Sequence, residues 1–481
     1  MIEISASGLL SFDEISAFTD SISKPSPRCI RLRLDRQGLD TLPLEVVPVP
    51  WFSRGRLLVD SKVRPSQLLQ YAAADYYIQD AGSLLALAVL DAQPHESVCD
   101  LCAAPGGKSS GICEVLREGG FLVSNELIGS RVPILRYAMS RTGNPRYAVT
   151  QQDPDQIGHR FAGQFDAVLV DAPCSGQAMV GSGKRTDNAF DSKQVEHSAR
   201  RQQRILLSAC KLLKPGGRLI YSTCTFAVEE NEAQIRFLHS TFPDAWEPLR
   251  IPALERWASP LEAGCYRTWP HRDPTAGAFA AGLRLKKSIA VEIESKPLSV
   301  RHKQGHDQSL DRRRLVRSNP SESLEAFGES QRLLLHTADN GDIYGIAVDA
   351  PTELVNRIDK REFPKLATQK SELYKPEYSL AMLNSDWFEP ARPLELDDAD
   401  ARKYMCGEAI FSGNGSKPSL FVGSSSKKTG KPTPWVCVRW HQKSLGWGKF
   451  ADNRVNNHLP NLAILPMGIQ NNSSPTQMIS G

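Results

Sequence analysis

Between about Ser83 and Leu285, short apolar runs alternate with segments of helical period, and this alternation limits the possible folds more than any other feature. The strand-like runs are Val98–Leu101, Phe121–Ser124, Ala148–Thr150, Phe165–Val170 and Arg218–Ser222. The helical stretches between them are Ser109–Leu116, Ser130–Arg141 and Val195–Leu213. Strands separated by helices are joined by crossovers, which put helices on both faces of a mostly parallel sheet. The expected fold class is therefore α/β with a doubly wound core. Such sheets bind ligands beyond the carboxyl ends of their strands, so the residues just past each strand end are the functional candidates.

Length and composition set the frame. At 481 residues the chain has room for roughly three domains at ~150 residues each. It is 41% hydrophobic and 23% charged, enough for a sizeable core. Lys and Arg number 58 against 54 Asp and Glu, a formal net charge of +4, which permits an RNA partner without requiring one. Met1 to Leu10 shows no basic region followed by an apolar run, so no secretory signal is expected. No stretch approaches the ~20 apolar residues of a membrane span, and no membrane partner is expected. A cytoplasmic location follows, in which the ten cysteines stay reduced. Cys99 and Cys102 in "CDLC" are open to a half zinc site or a redox pair. No second C-x-x-C stands at finger spacing and Val98–Leu101 reads as a buried strand, so no metal is expected.

The strand ends carry the chemistry. The first runs into "CAAPGGKSS", residues Cys102, Ala103, Ala104, Pro105, Gly106, Gly107 and Lys108 followed by two serines. The glycine pair allows a tight turn and close backbone approach to a ligand. The loop has neither the G-x-G-x-x-G pattern nor phosphate-loop spacing. Glu126 follows the second strand, about twenty residues on, where an acid can accept both ribose hydroxyls of a nucleoside cofactor. Asp153 follows the third and is placed to meet an adenine amino group. Either acid alone fits a solvated loop; together with the glycine loop they favour a cofactor site. Asp171 and Cys174 follow the fourth strand in "VDAPCSG", and Cys224 follows the fifth in "RLIYSTCTF". One such cysteine is ordinarily structural. Two at adjacent strand ends on one rim read as a reactive pair.

The motifs "DLCAAPGGKS", "VDAPCSG", "LLKPGGRLIYSTCT" and "EENE", with "YYIQDAGSLLALAVL" ahead of them, resemble the RNA (cytosine-5)-methyltransferases of the Sun/RsmF group over about Tyr76 to Leu285. "LELDDADARKYMCGEAIF" and "GWGKFADNRVNNHLP" resemble the PUA-like end of that group. The resemblance implies a Rossmann-like class I methyltransferase core with a smaller α+β N-terminal domain and a PUA-like C-terminal domain. It implies S-adenosylmethionine as cofactor and RNA as partner, either ribosomal RNA or the small ribosomal subunit. By motif, Cys224 becomes the nucleophile toward cytosine C6 and Cys174 the base or helper that releases it. Asp171 would hold the base at N3 and N4. Lys108 either pairs with cofactor or base, or caps the loop. Cofactor contacts are expected from Cys102 to Lys108 and from Glu126, Asp153 and Asp171. Covalent catalysis is apt because cytosine C5 is a poor nucleophile until a thiolate adds at C6. Tyr221 and Phe226 are candidate stacking groups, although aromatics in such strands are usually core. "VEENE", Val228–Glu232, reads as an acidic first helical turn or a partner for Lys108 or an RNA-facing arginine. After "APCSG" the chain departs from the group's x-G-x-x-R-K-x-P, with Ala178 for glycine and Lys184 and Arg185 as the basic pair. The group's glycine–phenylalanine–phenylalanine stands as Gly277, Ala278 and Phe279.

The expected domains are 1–75, an N-terminal RNA-binding domain; 76–287, the methyltransferase; 288–330, a polar linker; 331–467, the PUA-like region; and 468–481, a disordered tail. "RCIRLRLDRQ", Arg28–Gln37, reads as a strand with one basic face. A monomer is expected. Transfer RNA is the alternative substrate. A non-catalytic assembly factor would have lost a cysteine, and a nicotinamide oxidoreductase would carry G-x-G-x-x-G.

Overall fold

The computed structural model describes residues 8–34, 42–184, 187–286, 329, 332–370, 373–383, 393–411, 434–451 and 454–465. Apart from residue 329, the expected linker lies outside the described residues, as do the expected tail and Arg185.

The N-terminal unit is α+β. Helix α1 (Phe12–Ile22) precedes an antiparallel sheet of β1 (Cys29–Leu32), β2 (Val46–Val49), β3 (Phe52–Leu58) and β4 (Tyr76–Ile78), in the order β2-β3-β1-β4. The sheet thus takes in three residues beyond position 75.

The central sheet has eight strands: β5 (Ser97–Asp100), β6 (Phe121–Asn125), β7 (Tyr147–Thr150), β8 (Phe165–Asp171), β9 (Leu213–Thr223), β10 (Trp246–Pro248), β11 (Cys265–Thr268) and β12 (Ala278–Leu285). Their order is β10-β12-β9-β8-β5-β6-β7, with β11 paired to β12. The run β7-β6-β5-β8-β9 is parallel, whereas β12 runs antiparallel to β9. From β5 the chain winds outward through β6 and β7, then returns to β8 and β9 on the other side. This reversal opens a crevice at the carboxyl ends of β5 and β8, where an open α/β sheet binds ligands. The five parallel strands are those expected from the sequence; the antiparallel edge was not foreseen. The apolar runs are continuous because helices cover both sheet faces. One of these helices, Ser192–Leu212, starts where Asp191 accepts from the backbone N–H of Lys193 at 2.9 Å. It buries Val195, Ala199, Gln202, Ile205, Leu206, Ala209 and Leu212, a stripe at i+3 and i+4 spacing.

The C-terminal region holds two sheets. The first comprises β13 (Leu333–Thr337), β14 (Asp342–Ala347), β15 (Lys365–Lys370) and β16 (Leu373–Pro376). Its Leu333, Ile343 and Leu366 join the same buried cluster as Phe121 and Val123 of the central sheet. Arg146 meets Asp349 at 2.6 Å and Arg160 meets Glu362 at 2.8 Å, fastening this sheet to the core. The second sheet, β17 (Leu394–Leu396), β18 (Ile410–Phe411), β19 (Trp435–Trp440), β20 (Lys443–Ala451) and β21 (Arg454–Asn457), has the order β17-β19-β20-β21-β18.

The basic face expected on Arg28–Gln37 is corrected by burial at Arg31 and Arg33, while Arg28 is exposed and Arg36 lies outside the described residues. Arg31 is 0% exposed and Arg33 5%. Arg31 pairs with Glu114 and donates to Ser110 Oγ at 2.8 Å, while Arg54 reaches the same Glu114 at 2.5 Å. Arg33 donates to the carbonyl of Arg141 at 2.9 Å. A charge on a strand reads as surface, but here another domain covers it. These arginines join the N-terminal sheet to the core and have no face free for RNA. Removing one partner of a buried pair leaves the other charge uncompensated, so Glu114→Ala should destabilise the protein by about 3–5 kcal/mol. Urea unfolding would show it, and a loss below about 1 kcal/mol would make this contact a surface-like pair.

Candidate active site

Three loops at the carboxyl rim build the site. After β5 the backbone turns at Gly106, whose φ is +109°. A Cβ there would stand 2.6 Å from Ala138 Cβ, so both conformation and space demand glycine. The helix Gly107–Cys113 then starts and carries Lys108 into the rim. At the root of this loop, Asp100 is fully buried and accepts from Ser109 Oγ at 2.6 Å. Burial pushes its pKa up to about 7 against that bond. Its other oxygen has no donor among the described residues.

After β6, Glu126 is 4% exposed. It accepts from the backbone N–H of Ala104 at 3.3 Å and of Ile128 at 2.8 Å, and Arg131 stands 3.4 Å away. Leu127 and Ile128, 50% and 51% exposed, form an apolar ledge beside this acid. Sequence reasoning passed over both, although two apolar residues directly behind an acid at a strand end were a usable signal. Asp153 is the N-cap of the helix Pro154–Arg160, accepting from Asp155 N at 3.0 Å, and pairs with Arg204 at 3.3 Å. Its carboxylate thus has structural work on the same rim.

The reactive pair follows from the β8–β9 register. Asp171 lies opposite Ser222, so the residues just beyond them, Cys174 and Cys224, meet with sulfurs 3.4 Å apart. Cys174 is 6% exposed and Cys224 half-buried. The thiol of Cys174 donates to Cys224, and this bond lowers the pKa of Cys224; Lys108 adds to the effect, while burial and Asp171 oppose it. The same bond, with burial, raises Cys174 well above an ordinary thiol. These two directions make Cys224 the more acidic of the pair and Cys174 the one that holds its proton longer. Lys108 Nζ lies 2.7 Å from Asp171 Oδ2, and Ser222 Oγ donates to Oδ1 at 2.8 Å. Burial works against the charge on Lys108, but Asp171 outweighs it and the pKa is raised.

A buried acid fixes this geometry. Glu230 is 0% exposed. It accepts from Ser175 N at 2.9 Å, Ser175 Oγ at 2.5 Å, Thr225 Oγ1 at 3.3 Å and Gln202 Nε2 at 2.9 Å. Ser175 and Thr225 are the immediate neighbours of the two cysteines. Sequence reasoning missed this role. The helix does begin at Glu232, but Glu230 lies ahead of it, and Glu232 is buried against Arg267 at 2.5 Å. No residue of "VEENE" pairs with Lys108 among the described residues.

Two further expectations are corrected. Tyr221 is 0% exposed and donates to the carbonyl of Glu230 at 2.6 Å. Phe226 is 2% exposed and stacks on Trp269, ring centres 5.5 Å apart. Neither has a face for a base. Gly277 is required beside Phe226, since a Cβ there would fall 2.5 Å from the ring. Ala178, 8% exposed, donates its N–H to the carbonyl of Cys224 at 3.1 Å. Cys99 is fully buried in β5. Among the described residues there is no metal-binding group of three or more His, Cys, Asp or Glu, and no helix long and apolar enough to cross a membrane.

Residues 87–284 match the family model described as 16S rRNA methyltransferase RsmB/F, and residues 391–464 match the methyltransferase RsmF PUA domain. The chain is 27% identical over 470 residues to the ribosomal RNA small subunit methyltransferase F of Shewanella frigidimarina, covering 94% of each. It is 33% identical over 306 residues to the protein of that name from Cronobacter sakazakii, covering 61% of this chain and 62% of the other. A solved methyltransferase homolog protein from Pyrococcus horikoshii is similar at TM-score 0.51 and 26% identity, over 59% of this chain and 93% of its own. NSun6 from the same organism, solved with SFG, shares the fold at TM-score 0.51 and 20% identity, over 59% and 98%.

The hydrogen bond between the two sulfurs makes a prediction that needs no substrate. Iodoacetamide should alkylate Cys224 with a pH midpoint below that of an ordinary thiol. The rate should be full above this midpoint and fall as pH drops through it. Cys174→Ala should move the midpoint up. Peptide mass spectrometry reads both, and equal midpoints would remove the bond from the account.

Proposed function

We propose, from the premise that this chain belongs to the 16S rRNA methyltransferase RsmB/F family and is an RNA methyltransferase, that it methylates C5 of a cytosine in small-subunit ribosomal RNA through a bond between Cys224 and cytosine C6. The observation that carries this reading is the sulfur pair, 3.4 Å apart, in which the more accessible member, Cys224, is the one whose pKa is lowered.

S-adenosylmethionine fits the crevice between β5 and β8. Glu126 would accept its ribose hydroxyls, and Leu127 and Ile128 would flank its adenine. Asp153 would take the adenine amino group if it gives up part of its contact with Arg204. The backbone of Cys102, Ala103, Ala104, Pro105, Gly106 and Gly107, with Lys108 and Asp171, would line the rest. The donorless oxygen of Asp100 would suit the cofactor's ammonium group. When bound, S-adenosylmethionine supplies an electrophilic methyl carbon.

The chain's own residues do the remainder. The cytosine is turned out of its RNA to reach the rim. Cys224 adds through sulfur to C6, and the electron pair of the C5–C6 bond moves toward C5, making C5 nucleophilic. Asp171, held by Lys108 and Ser222, faces the N3 and N4 edge and steadies the charge that develops there. After methylation Cys174, whose own proton passes to solvent once Cys224 is bonded to C6, takes the C5 proton, the C5–C6 double bond reforms and the Cys224 sulfur departs as thiolate. The high proton affinity of Cys174 suits it to this release. The N-terminal unit and the PUA-like region would hold the RNA.

Cys224→Ala should abolish methyl transfer and form no covalent RNA complex. Cys174→Ala should accumulate protein bound to RNA through Cys224, as a slow band on a denaturing gel that depends on S-adenosylmethionine. A band from Cys224→Ala instead would reverse the roles. Normal turnover by both variants would end the covalent mechanism. Glu126→Ala should weaken S-adenosylmethionine binding at least tenfold, as expected for bonds worth roughly 1.5–3 kcal/mol each to a charged group. Calorimetry on the folded variant measures it, and unchanged affinity would take Glu126 out of the site.

A further inference from the structure

A 260 Å³ cavity opens past the end of β11, lined by Trp257, Trp269, Arg256, Arg267, Arg272 and Asp273 among others. Its position follows from strand register. Arg267 lies opposite Phe279, and Phe279 lies opposite Thr223. Strands are ~4.8 Å apart, so the end of β11 stands ~10 Å from the end of β9 on the same rim. Trp269 emerges there just past β11, as Cys224 emerges past β9. The two are joined by packing: Trp269 stacks on Phe226 at 5.5 Å and 12°, and Phe18 closes the edge of both rings at 4.9 and 5.6 Å.

The charges on the wall are unevenly matched. Arg267 is neutralised by Glu232, and Arg272 pairs with Glu14 at 2.6 Å. Asp273 already accepts from Trp257 Nε1 at 3.0 Å and from Trp269 N at 3.1 Å. Arg256 has no carboxylate partner among the described residues and lies over the Trp257 ring, 5.6 Å from its centre. The indoles in this wall are largely covered, Trp269 by Phe226 and the guanidinium groups of Arg267 and Arg272, and Trp257 by Arg256 and Trp51, so the cavity presents the remaining indole surface and one uncompensated guanidinium at an exposed edge. Its volume falls just below the ~300–1,000 Å³ of small-molecule sites, which suits one base better than a whole nucleoside cofactor. Aromatic and guanidinium walls with a nearby cation are the means by which proteins hold unpaired bases and their phosphates.

We infer that this cavity is a second base subsite, which takes a nucleotide flanking the target cytosine in the substrate RNA, with Arg256 on its phosphate. The inference rests on the RNA methylation reading. It gives the flipped cytosine a fixed neighbour.

The test uses 16S rRNA transcribed with partial replacement of uridine by 4-thiouridine and the full-length protein. Irradiation should crosslink this RNA to the peptide spanning residues 252–273, read by mass spectrometry. Arg256→Ala removes the cation. Ala258→Phe fills the cavity from an exposed wall position without deleting a bond. Each variant should raise KM for the RNA about tenfold, as expected for one stacked base, with kcat and S-adenosylmethionine affinity held within about twofold. Methyl transfer with no crosslink in 252–273 and unchanged KM in both variants overturns the subsite. Crosslinking in 252–273 by wild-type protein that transfers no methyl group upholds the subsite and overturns the reaction instead.

Discussion

The catalytic rim depends on one buried carboxylate. Glu230 is 0% exposed and out of reach of bulk solvent, and a lone buried carboxylate is costly unless donors surround it. Four donors do so, and they come from three separate segments: Ser175 beside Cys174, Thr225 beside Cys224, and Gln202 on the long helix. Satisfying this charge therefore draws the two cysteine loops together. The 3.4 Å sulfur contact is one consequence. The separation of their proton affinities is another, since the Cys174 thiol can stabilise the Cys224 thiolate only at that distance.

A second pair of charges completes the balance. A thiolate, Asp171 and Glu230 together would make the rim strongly negative. Lys108, delivered by the glycine turn at Gly106, offsets this from within the same rim, 2.7 Å from Asp171. Its position is why burial fails to discharge it. The glycine loop thus has two duties: its backbone faces the crevice at the ends of β5 and β8, and its lysine favours negative charge on Asp171 and Cys224. A loop designed only to approach a ligand closely would not need that lysine.

The parallel core was legible in the sequence because both of its faces are covered, which makes each strand a continuous apolar run between helical stretches. The antiparallel edge was harder to read. β10 is only the three residues Trp246–Pro248, and β11 carries the buried Arg267, which interrupts any apolar pattern. The site shows the same division. Cys174, Cys224, Asp171, Lys108 and Glu126 could be placed by counting from strand ends, since a parallel sheet puts all such ends on one rim. Glu230 and Arg31 could not. Each is a charged residue whose partners come from distant segments, and without those partners the better reading is a solvated face. Asp153 carried a signal that was weighed too lightly: Asp followed by Pro is a helix start, and the carboxylate caps that helix.

Burial also changes the standing of the N-terminal unit. Leu9, Leu10 and Phe18 form one apolar cluster with Ala178, Phe226 and Trp269, and Cys224 packs against it. Helix α1 is thus part of the wall behind Cys224. Arg31, Arg33 and Arg54, bonded to Glu114, Ser110 and the backbone of Arg141, hold the attached sheet in place. Here the arginines are spent on anchoring, and the rim borrows its back wall from the anchored helix. The apolar surface around Cys224 raises the cost of a free charge there, so the thiolate relies all the more on Cys174 and Lys108.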